Sequence, residues 1–133
     1  MNSFKAKITD IKSSGSFSLV SLNAEDLKLK SIVIDTPDTA DYLLLNQEVS
    51  VIFKELEASI ATKAGLPISL QNQIPGTITD IQKGELSARV SLQTQVGSIT
   101  SVITAGSAER LELAVGQEVF ALIKTNELML SKE

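Results

Sequence analysis

Any chemistry in this 133-residue chain has to be done without histidine and without cysteine. Transition metals lose their usual ligands, and general acid–base catalysis loses its commonest residue. No disulfide or thiolate site can form, and no redox compartment can be inferred. The 16 Asp and Glu are scattered, not paired in a recognisable motif, so no catalytic constellation can be named and the chain reads as a non-enzyme. The formal net charge of −4 argues against nucleic acid, whose binders carry clustered Lys or Arg on one face. Arg89 and Arg110 are the only arginines, and four Phe and one Tyr offer no base-stacking platform. The uninterrupted apolar runs are too short to span a membrane. Met1-Asn2-Ser3-Phe4-Lys5 lacks the apolar core of a signal peptide, so a soluble cytoplasmic protein is expected.

The elements that must position any site come twice. Shifted by 70 residues, the chain lies on itself without a gap: Ile8-Thr9-Asp10-Ile11 falls on Ile78-Thr79-Asp80-Ile81, and Gln47-Glu48-Val49 on Gln117-Glu118-Val119. Lys54 falls on Lys124, and about 15 of the 60 positions between 2–61 and 72–131 are identical. Two copies make two small domains, since a solenoid needs at least three repeats to bury its core. Units of about 65 residues bury only about 60% of their unfolded surface, so they are expected to pack on each other, on other chains, or both. The expected division is 1–61, a linker at 62–70, and 71–133.

Each copy reads as strands, one short helix, then strands. Phe4, Ala6 and Ile8 alternate with polar residues and the pattern then shifts, as a strand of period two would. Second strands are expected at Phe17–Leu22 and Leu86–Leu92, and β-branched third strands at Leu27–Ile34 and Ser98–Thr104. Thr36-Pro37-Asp38 carries helix-start signals, and Ser107 is a candidate N-cap in the second copy. Asn46 and Gly116, which tolerate left-handed backbone, are expected to close these helices. Strands at Glu48–Phe53, Leu56–Ile60, Glu118–Lys124 and Glu127–Leu130 complete the copies. The fold class is all-β: two tandem five-stranded OB-like Greek-key barrels, each with one short helix.

The stretch Ser69-Leu70-Gln71-Asn72-Gln73-Ile74-Pro75-Gly76 resembles the opening signature of the Mop domain, Ser-x-Arg-Asn-Gln-aliphatic-x-Gly. The second half stays similar to that family through Val102-Ile103-Thr104, Leu111-x-Leu113, Gly116-Gln117-Glu118-Val119, Ala121-Leu122-Ile123-Lys124 and Leu128-Met129-Leu130. A tandem pair resembles molbindins and the C-terminal half of molybdate-responsive regulators. The resemblance implies intracellular binding and storage of molybdate or tungstate, at sites between barrels, in a homo-oligomer (trimer or dimer). It also implies the ligands: Ser69, Gln71 in place of the signature arginine, Asn72, the hydroxyl pair Thr104 and Ser107, and Lys124.

That set is chemically coherent. A tetrahedral dianion offers acceptors only, so its site needs donors: hydroxyls, an amide and one compensating cation. Plainer readings stand beside it: Ser107 as a cap, Thr104 as a β-former, Lys124 as a solvated strand end, and Ser69 and Asn72 as turn residues. The first copy is poorer, with Ile34 at the place of Thr104, Pro37 at that of Ser107 and Met1 at that of Gln71, leaving Lys54 and Asn2. Replacing a guanidinium by Gln71 removes a charge and a bidentate fork, which should weaken binding. The alternative function is a ligand-free regulatory or oligomerisation module of paired barrels.

Overall fold

The structure is a computed structural model that describes residues 1–132. Among the described residues ten strands, one short α-helix and a single 3-10 turn (Glu55–Glu57) follow the chain: β1 (Asn2–Ser14), β2 (Phe17–Ala24), β3 (Leu27–Val33), β4 (Glu48–Phe53), β5 (Ser59–Ala61), β6 (Asn72–Lys83), β7 (Ser87–Thr94), β8 (Gly97–Thr104), α1 (Ala105–Arg110), β9 (Glu118–Ile123) and β10 (Met129–Lys132). Asn2, Phe4, Ala6 and Ile8 of β1 point inward, and the alternation breaks where the pairing with β2 slips between Ile8 and Asp10. The same bulge recurs between Ile78 and Asp80. A bulge bends its strand and increases its twist, which lets a five-stranded sheet curl.

The repeated residues around the bulge now have a cause. Ile8 N–H donates to Gln47 O at 2.9 Å and Ile8 O accepts from Asn46 N–H at 2.8 Å; Ile78 is held by Gln117 and Gly116 at the same distances. Asn46 (φ 66) and Gly116 (φ 91) adopt left-handed backbone at these turns into β4 and β9. Their expected role as helix ends is corrected: α1 is capped by Leu111, well before Gly116.

The first copy forms no helix between 36 and 46, another departure from expectation. Thr36 starts a single turn, its O accepting from Thr39 and Ala40 N–H, while Thr39 Oγ1 accepts from Thr36 N–H and donates to Asp35. Short polar side chains that bond the local backbone compete with helix propagation. Ala105-Gly106-Ser107-Ala108-Glu109-Arg110, with Thr104 as cap, lacks that competition over most of its length.

The sheets do not divide at the linker. One has the order β10-β4-β1-β2-β3 and the other β5-β9-β6-β7-β8, so the two halves exchange their last strands. Ser59↔Leu122 and Met129↔Ile52 are among the exchanged pairings. With the exchange, each sheet keeps the 5-4-1-2-3 order of a five-stranded barrel, and its edges return to each other where β3 lies against β10 and β8 against β5. Two buried serines at equivalent positions fasten these closures: Ser31 Oγ donates to Leu128 O and Ser101 Oγ to Ala58 O, both at 2.5 Å. One buried cluster, with Phe4 edge-on to Phe53 at 6.3 Å, continues through both halves.

Candidate functional site

Asn72 opens β6 and is wholly buried. Its Oδ1 accepts from Lys30 N–H at 2.7 Å and its Nδ2 donates to Lys30 O at 2.9 Å. The side-chain amide thus pairs with β3 as a neighbouring peptide would. Seventy residues earlier Asn2 does the same with Thr100, at 2.8 Å in both directions. Asn72 thus clips the two barrels together from a buried position.

Gln71 and Lys124 lie just beyond the last paired residues of β6 and β9, Asn72↔Ile123. Both inner neighbours are buried, so alternation turns Gln71 and Lys124 outward together, and both are exposed. Glu127 N–H donates to Lys124 O at 3.0 Å, which fixes the turn carrying the lysine. Ser69 is exposed in the segment before β6. Gln71 also lines a cavity of about 850 Å³ against the first barrel, with Ser21, Lys28 and Lys30.

Thr104 and Ser107 meet at the start of α1. Thr104, not Ser107, is the cap: its Oγ1 accepts from Ser107 N–H at 3.0 Å and bonds Ser107 Oγ at 2.9 Å. With Thr104 donating to Ser107 Oγ, the Ser107 hydroxyl keeps its own proton for an outside acceptor. Ser107 lines a small cavity of about 160 Å³ with Ser59 of the exchanged β5, Ile103 and Arg110. Ser59 escaped the sequence reading, because only the strand exchange brings β5 to this place, whereas Arg110 stands one helical turn beyond Ser107 on α1. Gln71 and Ser107 line different cavities, so one chain does not gather the six residues around one point. Among the described residues, no group of three acidic side chains could hold a metal ion.

Comparison with known proteins accords with this architecture. Residues 68–130 match the TOBE domain. A stretch of 66 residues is 36% identical to molybdenum-pterin-binding protein 1 of Clostridium pasteurianum, covering 49% of this chain and 97% of that protein. A probable molybdenum-pterin-binding protein of Haemophilus influenzae is 30% identical over 69 residues, 51% of this chain and all of that protein. The molybdenum transport protein ModE of Azotobacter vinelandii is 39% identical over 82 residues, 61% of this chain, but the chain spans only 29% of ModE. A structure of the cytoplasmic molybdate-binding protein ModG with molybdate bound superposes with a TM-score of 0.89 at 26% identity, over 99% of this chain and 96% of that one. With about half of its length matching entire single-unit relatives and all of it matching a two-unit one, the chain belongs to the Mop family of TOBE-domain proteins.

Proposed function

We propose that this protein binds a tetrahedral oxyanion, molybdate or tungstate, and stores it inside the cell without a catalytic role. The observation that carries this reading is the superposition along the whole chain on a two-barrel protein whose structure holds molybdate. The local chemistry supports it. Ser69, Gln71, Thr104, Ser107 and Lys124 present donors, and four of the five are exposed while Ser107 is half-buried. Exposed donors that do not converge within one chain suit sites completed between barrels of neighbouring copies, in a trimer or dimer. Large apolar side chains left in solvent, among them Phe17, Ile34, Leu45 and Leu86, are consistent with such an assembly.

Calorimetric titration of the pure protein with molybdate, tungstate and sulfate tests the proposal. Saturable binding of the first two in preference to sulfate is expected. Absence of binding to all three would sink the storage reading and leave a ligand-free oligomerisation module as the better account.

A further inference from the structure

We infer that Lys30 of the first barrel supplies the positive charge that Gln71 lacks, so that β3 completes the oxyanion site beginning at β6. This rests on the oxyanion reading above. Gln71 and Lys30 line the same cavity of about 850 Å³, and the residue after Gln71 bonds both the N–H and the C=O of Lys30. The clip that joins the barrels therefore also fixes where Lys30 stands relative to Gln71.

The Lys30 side chain is held ready. Its Nζ donates to Ser21 Oγ across the β2–β3 pair at 2.8 Å, and Ser21↔Lys30 is a direct register pair. A hydroxyl is a neutral partner, and among the described residues the ammonium takes part in no ion pair. Two carboxylates, Asp10 and Asp26, also line the cavity, as does a second lysine, Lys28. Asp10 belongs to the bulge and recurs as Asp80 in the other barrel, so its place follows from the fold. An anion entering beside Gln71 meets an ammonium that has only a hydroxyl to leave, and a charge-assisted bond to a dianion is about twice as strong as a neutral one.

The pseudo-symmetric seam sharpens the point. There Thr100 stands at the place of Lys30 and Met1 at that of Gln71, while the Asn2 clip on Thr100 is intact. The clip serves both seams, whereas the lysine occurs only beside Gln71. Thr100 further shows that threonine fits this backbone setting.

The test is a double-mutant cycle on the whole chain, read by calorimetry with molybdate at low and high salt. Lys30→Thr should weaken binding by roughly tenfold or more, with a loss that shrinks as salt rises. Gln71→Arg should tighten binding far more in the Lys30→Thr background than in the wild type, because there it restores the charge that Lys30 supplied. Lys30→Gln serves as a second variant should Lys30→Thr melt much earlier than wild type. Wild-type affinity in both Lys30 variants, or an equal gain from Gln71→Arg in both backgrounds, overturns the assignment while leaving the oxyanion reading in place. A wild type that binds none of the anions removes that reading, and this one with it.

Discussion

Replacing Asn72 by alanine separates a clip from a ligand. The substitution deletes two hydrogen bonds, at 2.7 and 2.9 Å, and leaves both the N–H and the C=O of Lys30 without partners in a part-buried seam. Each orphaned group costs about 1–3 kcal/mol, and water entering the vacated space offsets some of that, so a loss of about 2–4 kcal/mol is expected. For a chain of this length that corresponds to a fall in melting temperature of roughly 8–15 °C. Asn2→Ala should cost a similar amount, because Asn2 makes the equivalent pair with Thr100 and is also buried. Asn72→Asp should be worse than alanine, since a carboxylate would face the Lys30 carbonyl in place of a donor. Circular dichroism melts of the three variants decide the matter. If Asn72→Ala melted within about 2 °C of wild type and yet lost oxyanion binding, Asn72 would be a ligand and the clip argument would fail.

Three other outcomes are expected. Lys124→Ala should weaken molybdate binding by about tenfold or more in calorimetry, and Lys54→Ala much less, because only Lys124 has Gln71 beside it; equal effects would mean equivalent sites in the two halves. Tyr42, the only tyrosine in a chain without tryptophan, should titrate above the ordinary phenol range, chiefly through burial and secondarily through the Asp35 charge. A raised folded pKa stabilises the fold fully below the unfolded value and is lost as pH rises through the folded one, so alkaline unfolding should accompany phenolate absorbance; Asp35→Asn should lower the midpoint, and a midpoint at or below the ordinary value would contradict the burial. Light scattering at micromolar concentration should report a trimer or dimer, and a strict monomer would count against sites shared between chains.

Much of the scaffold was legible because it is local. The shift in the β1 pattern after Ile8 is the bulge itself, and β4 runs from Glu48 to Phe53 as its alternation implies. The strand exchange was not legible, for a reason rooted in the repeat. β5 is three residues long, and two barrels with the same strand order offer it nearly the same seat. Periodicity settles that Ile60 lies in a strand but not which sheet that strand joins. The missing first helix has a local cause: Thr36-Pro37-Asp38 signals a start, but Thr39 captures the turn. Asn72 was read through the family signature as a ligand, and its clip to Lys30 was not foreseen, although the sequence held a signal for it. Asn2 is identical at the matching place, in the copy where Ile34 and Pro37 replace the hydroxyls.

That signal separates scaffold from site more generally. Residues repeated across the 70-residue shift, such as Asn2 and Asn72, Ser31 and Ser101, or Ile8 and Ile78, hold the same bonds or core places in both barrels. Each serves a need of the fold, so each is present twice. Gln71, Thr104, Ser107 and Lys30 have Met1, Ile34, Pro37 and Thr100 as their counterparts; the strand order is the same in both halves, while α1, which Thr104 caps, forms only in the second. Thr104 and Ser107 serve the cap of α1, whereas the shared strand order asks for neither Gln71 nor Lys30, and these two are the residues the proposed oxyanion site adds. Lys124 crosses this line, being both repeated and exposed. Its twin Lys54 precedes Glu55, which is tied to Arg89 at 2.9 Å, whereas Lys124 precedes the uncharged Thr125. The same lysine thus stands beside a carboxylate engaged with an arginine in one half and beside Gln71 in the other, and the proposed oxyanion site rests on that difference in surroundings, not on the lysine's identity.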